Sequence, residues 1–109
     1  GVLEPGEEAE QTIVREAREE TGFAIPQPQF VKAFYASPGT FSEKIHAYYS
    51  TVTNEMRVEA GGGLATEAED IELKAIPRLT VYQYMDEGYL VDAKTLVSLY
   101  WFRSQDNRD

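Results

Sequence analysis

A chain of 109 residues, 42% hydrophobic and 12% aromatic, is sized and composed for one folded domain with a modest core, and not for a disordered tail. It has no cysteine and a single histidine. That excludes a disulfide framework, a thiolate zinc site and a His-rich metal centre, is compatible with a reducing cytoplasm, and leaves oxygen ligands for any metal chemistry. Nineteen acids against ten bases give a formal charge of -9, which argues against direct binding to nucleic acid or to an anionic membrane and makes divalent cations the natural guests. There is no signal peptide and no apolar run long enough to span a bilayer.

The first stretch, residues 1–23, reads GVLEPGEEAEQTIVREAREETGF. Pro5 and Gly6 mark a turn, Glu7, Glu8 and Glu10 stand where the positive end of a helix favours acids, and Gly22 stops the helix just after Thr21. Ala9, Ile13 and Ala17 form a short apolar stripe at i, i+4, i+8. Glu16, Glu19 and Glu20 fall at offsets of three and four, which gathers three carboxylates on one side of that helix. Like charges so spaced repel, so either water screens them or a cation sits between them. Arg15 can pair with Glu19 four residues on, or with Glu7 on the preceding loop, fixing a carboxylate in one rotamer.

Written as spacing, the stretch is Gly1, five residues, Glu7, seven residues, Arg15-Glu16-Ala17, one residue, Glu19-Glu20, one residue, Gly22-Phe23. This resembles the Nudix box, G-x5-E-x7-R-E-U-x-E-E-x-G-U with U a bulky apolar residue, and every fixed letter matches. Ala17 is the departure, small where the family usually carries an aliphatic side chain. The resemblance implies an α/β (α+β) fold, a Nudix α/β/α sandwich with a mixed sheet between the box helix and C-terminal helices. Because the chain starts at the first glycine of the box, it implies that the family's N-terminal strands are missing here, so that this is the C-terminal part of a single Nudix domain spanning 1–109.

Pro26 and Pro28 carry a connector, and Gln29 to Ala36 reads as a strand rich in Phe, Val and Tyr. A turn at Ser37-Pro38-Gly39-Thr40 leads into a second strand from about Glu43 to Thr53, with Ile45, Ala47 and Tyr49 alternating against polar neighbours. Together these predict a hairpin over about 29–53. The resemblance extends here, since a Ser-Pro-Gly turn with a nearby glutamate recurs in Nudix pyrophosphatases acting on ADP-ribose and related sugar nucleotides. Glu43 would be the matching acid near metal or substrate, as Gly1 would be at the head of the box; the alternative for Glu43 is a solvated strand-start residue. His46 is a strand-face residue with no catalytic duty.

Residues 54–70 form the least regular segment, and Gly61-Gly62-Gly63 predicts a mobile loop. It ends in Glu67, Glu69 and Asp70. Taken alone this is a solvated acidic loop; the resemblance makes Glu67 the first and Glu69 the second candidate for a general base, on the match E-x-E-D-I. A strand follows over Ile71 to Ile76. After Pro77, Thr80 can cap a helix over 81–85 that ends at Gly88, and Asp92 can cap a helix from Ala93 to about Arg103. That last helix carries Leu96, Val97, Leu99, Tyr100, Trp101 and Phe102, apolar almost all round, and reads as core or interface. Gly88 with Asp92-Ala93-Lys94-Thr95 is similar to the closing G-x3-D-A-K-T of ADP-ribose pyrophosphatases, while Ala60-Gly61-Gly62-Gly63-Leu64 is similar to GDP-mannose members.

What the resemblance implies is hydrolysis of a nucleoside diphosphate sugar at its pyrophosphate: ADP-ribose to AMP and ribose 5-phosphate, with GDP-mannose to GMP and mannose 1-phosphate as the alternative. Glu16, Glu19 and Glu20 would hold Mg2+, with Mn2+ as substitute; Arg15 would assist them, and Glu67 or Glu69 would accept the proton. The full-length parent would be a cytoplasmic homodimer. Clean-up of nucleoside triphosphates also uses the box, but the Ser-Pro-Gly turn and the D-A-K-T segment speak against it. The reading from another class is a binding domain, or an inactive fragment, that keeps the fold.

Overall fold

Glu8 opens the first helix, α1 (Ala9–Thr21), through a reciprocal pair of bonds: its side chain accepts from the Gln11 N–H, and the Gln11 side chain accepts from the Glu8 N–H at 3.1 Å. Two of the donors that any helix start leaves without a partner are thereby satisfied. At the other end Gly22 takes a left-handed conformation, φ 83°, and its N–H donates to the Arg18 carbonyl. The stop at Gly22 lies where the sequence predicts it. In this computed structural model the described residues are 6–35, 43–63 and 71–106.

Two strands follow, β1 (Gln29–Tyr35) and β2 (Lys44–Tyr49), and they pair with each other. The link between them is too short for a parallel crossover, so they run antiparallel. Phe30 and Tyr48 meet edge to face across the pair, ring centres 5.6 Å apart. The second strand ends at Tyr49, short of the predicted Thr53. Beyond it Thr53 leads into a 3-10 turn at Asn54–Met56, which bends the chain away from the ladder.

The expected α+β composition is present. Among the described residues the sheet is the small antiparallel pair of β1 and β2. The predicted strand over 71–76 does not form among them: Ile71 donates to the Gly62 carbonyl at 2.9 Å, and no ladder continues from it. Alternation of Ile71 and Leu73 has the period of a strand, but a strand exists only against a neighbouring edge.

Two helices close the described chain, α2 (Arg78–Asp86) and α3 (Ala93–Ser104). The first begins two residues ahead of the predicted Thr80 cap, because Pro77 already supplies a helix-compatible φ of -55° and needs no N–H partner. It ends in a Schellman arrangement: Gly88 at φ 77° donates to Met85 and Tyr89 donates to Tyr84. Asp92 caps α3 as predicted, accepting from the Thr95 N–H at 2.9 Å and the Thr95 hydroxyl at 3.0 Å. Arg103 of α3 forms a two-pronged pair with Asp86 of α2 and stacks over the Tyr82 ring, 4.9 Å from its centre.

The chain divides into two compact units, Gly1–Phe30 with Tyr48–Lys74, and Val31–Ala47 with Ala75–Asp109. Among the described residues the buried apolar ones are Ala17 in the first and Ala47, Tyr82 and Met85 in the second. No residue of α3 is buried among the described contacts. None of the helices among the described residues is long and apolar enough to cross a membrane.

Candidate functional site

Helix α1 buries an unusual pair. Thr12 and Glu16 are 6% and 5% exposed, lower than Ala17 on the same face. The carboxylate of Glu16 accepts from Arg15 Nη1 at 3.0 Å. That guanidinium also donates to Glu7 through Nε and Nη2, both at 3.2 Å, and reaches Glu19 at 3.4 Å. Thr12 steadies the same centre, its hydroxyl donating to Glu7 Oε1 at 2.7 Å. Arg15 is held well above the usual arginine range, first by its hydrogen bond to Glu7 and then by the charges of Glu7, Glu16 and Glu19.

Among the described residues, then, one guanidinium faces three carboxylates. A buried carboxylate such as that of Glu16 requires compensating positive charge, and Arg15 supplies it. The donor set consists of oxygens on successive turns of one helix, which suits a hard divalent ion. In charge and ligand type Glu16, Glu19 and Glu20 fit such an ion. No group of three His, Cys, Asp or Glu side chains among the described residues converges closely enough to enclose one as it stands.

The C-terminal end of α1 is finished by a distant stretch of chain. Gly62 donates to the Glu20 carbonyl at 2.8 Å and Gly63 to the Glu19 carbonyl at 2.9 Å. Val58 and Glu59 both donate to the Gly22 carbonyl, and Arg57 bridges to Phe23. The predicted freedom of the glycine triplet rested on the cost of fixing a glycine backbone. Part of the segment instead caps the acidic helix.

Of the predicted site residues, the structure brings together Arg15, Glu16 and Glu19, with Glu20 one residue on. Glu43 is exposed, immediately before β2 and in the second unit. Gly1, Glu67 and Glu69 lie outside the described residues. Sequence reasoning missed Thr12 as the support of Glu7 and Gly62 and Gly63 as caps. It also missed a cavity of about 500 Å³ lined by Glu8, Gln11, Val14, Arg15, Arg18 and Ile25 among others. Residues 8, 11, 15 and 18 share one helical face, so this hollow lies round the helix from Glu16 and Glu20.

Fold and site together define an α+β chain that mounts Glu16, Glu19 and Glu20 on one capped helix. A family model, the NUDIX domain, matches residues 1–95, and the chain belongs to that family. The chain is similar to the ADP-ribose pyrophosphatase of Escherichia coli (strain K12), 35% identical over 94% of this chain and 49% of that protein. It is similar to the ADP-ribose pyrophosphatase of Haemophilus influenzae, 31% identical over 94% of this chain and 47% of that protein. Likewise it resembles the GDP-mannose pyrophosphatase of Citrobacter koseri, 34% identical over 95% of this chain and 53% of that protein. The chain spans about half the length of the curated relatives it matches.

Proposed function

We propose that this chain is the acidic, cation-holding part of a pyrophosphatase that cleaves the diphosphate of a nucleoside diphosphate sugar, most favourably ADP-ribose, to AMP and ribose 5-phosphate. The observation that carries this reading is the carboxylate group around Arg15 on a helix of a NUDIX domain. Relatives named for ADP-ribose support the first substrate; those named for GDP-mannose, at similar identity, keep it as the second.

Glu16, Glu19 and Glu20 would hold Mg2+, or Mn2+ in its place. A divalent ion so held supplies positive charge to diphosphate oxygens and acidifies water. Arg15 fixes the rotamers of Glu16 and Glu19. Thr12 and Glu7 in turn fix Arg15. Glu67, or failing it Glu69, accepts a proton from the attacking water. We place the full-length protein in the cytoplasm, with which the lack of cysteine in these 109 residues is compatible, and as a homodimer.

The test is hydrolysis by the full-length protein of ADP-ribose, GDP-mannose, diadenosine polyphosphates and nucleoside triphosphates, with Mg2+, with Mn2+ and with chelator. ADP-ribose turnover that chelator abolishes is expected, as is a fall of about 100-fold or more in Glu19→Gln and Glu20→Gln, in line with loss of transition-state charge stabilisation. Unchanged turnover in both variants would overturn the assignment, and a preference for GDP-mannose would select the second substrate.

A further inference from the structure

The C-terminal turn of α1 must hold Glu19 and Glu20 side by side at the end of the helix where backbone carbonyls have no partner of their own and where the dipole is negative. Both factors loosen that turn. The structure answers them from outside the helix. The N–H groups of Gly62 and Gly63 bond the carbonyls of Glu20 and Glu19 themselves, at 2.8 and 2.9 Å. These two bonds fix the backbone of the residues whose side chains carry the proposed cation site.

Only glycine allows the approach. Gly61, at φ 80°, runs against the helix end so closely that a Cβ built on it would lie 2.6 Å from the Thr21 carbonyl carbon and 2.9 Å from both the Glu20 oxygen and the Gly22 nitrogen. All three are backbone atoms and cannot swing aside. At Gly62, φ 98°, the nearest atom to such a Cβ is the Ile71 oxygen at 3.5 Å, an ordinary contact. Between Gly61 and Gly62 the collision falls on Gly61, whereas the left-handed backbone is common to the triplet.

Resting on the reading of α1 as a divalent-cation helix, we infer that Gly61–Gly63 is a backbone clamp for that site and that Gly61 is a positioning residue for Glu19 and Glu20. A side chain at Gly61 lifts Gly62 and Gly63 from the helix end, and the cation must then order the last turn as it binds. Ordering one residue's backbone corresponds to about a tenfold loss of affinity. Linkage requires the converse: a cation that binds better to the clamped helix must strengthen the clamp by the same factor.

The experiment uses the full-length protein. Mn2+ dissociation constants are measured by electron paramagnetic resonance for wild type, Gly61→Ala and Gly88→Ala. Gly88 shares the left-handed backbone, φ 77°, but a Cβ there meets nothing within 4 Å. Expected are a loss of about tenfold for Gly61→Ala and wild-type affinity for Gly88→Ala. In wild type, hydrogen exchange at the Gly62 and Gly63 amides should slow when Mg2+ saturates the protein, and this measurement decides the matter if Gly61→Ala does not fold. Mn2+ binding by wild type with no change in Gly61→Ala, or with Gly62 and Gly63 exchange indifferent to Mg2+, overturns the clamp and leaves the proposed function standing. No Mn2+ binding by wild type overturns both.

Discussion

At the scale of the residue, the centre is organised by Thr12 as much as by Arg15. A buried hydroxyl donating to a carboxylate is worth more than a neutral bond, so Thr12→Val, which keeps the shape and removes the donor, should lower unfolding free energy by about 1.5–3 kcal/mol; urea denaturation of the two proteins checks this. Arg15→Lys retains the charge but loses the planar fork that serves Glu7 and Glu16 together. It should lower the thermal midpoint and turnover together, and wild-type values for both would show that charge alone suffices. The pairing of Arg15 with Glu7 and Glu19 was legible, because spacing along a helix and the box pattern both point to it. Burial of Glu16 was not. A charged residue reads as solvated or cleft-facing, and what buries this one is the surrounding chain. Thr12 was missed because a threonine in mid-helix has no local signature of a bond to a loop glutamate.

At the scale of the element, boundaries set by local chemistry and the hairpin pairing of β1 with β2 were readable, whereas pairing with a distant partner was not. The stop of α1 at Gly22, the cap at Asp92 and the glycine after α2 all follow from residues within a turn of the boundary. The strand expected over 71–76 depends on a partner elsewhere in the chain, which no alternation pattern contains. The caps also predict a pH response. Asp92 is held below the usual aspartate range by the Thr95 N–H and hydroxyl, and Asp86 by the Arg103 guanidinium. A carboxyl depressed in the folded state contributes stability that is full above its unfolded value, about 3.9, and that is lost as pH falls through that value towards the folded one. The thermal midpoint should therefore drop with acidity from about pH 5 downward. Asp92→Asn, which still caps but cannot titrate, should flatten that slope; an unchanged slope would show that the cap contributes none of it.

At the scale of the whole molecule, a net charge of -9 and the few buried apolar residues among those described leave stability sensitive to anything that binds the folded state alone. Mg2+ at about 100 times its dissociation constant should add about 2.7 kcal/mol to unfolding; a thermal midpoint that rises with Mg2+ and falls back with chelator is the expected result. Exposed Leu79, Tyr89 and Val91, at 70%, 69% and 86%, show how much apolar surface this chain carries outside its own core. One further property follows from the antiparallel bridge of Phe23 with Arg57 and the bond from the Ala24 N–H to the Met56 carbonyl. They make the intervening residues an excursion that departs and returns at a single stitched point beside the acidic helix. Doubling the length of such an excursion changes its closing entropy by only about 0.6 kcal/mol. Lengthening the link between β1 and β2 therefore costs little in closing entropy and leaves both stitches beside the acidic helix in place.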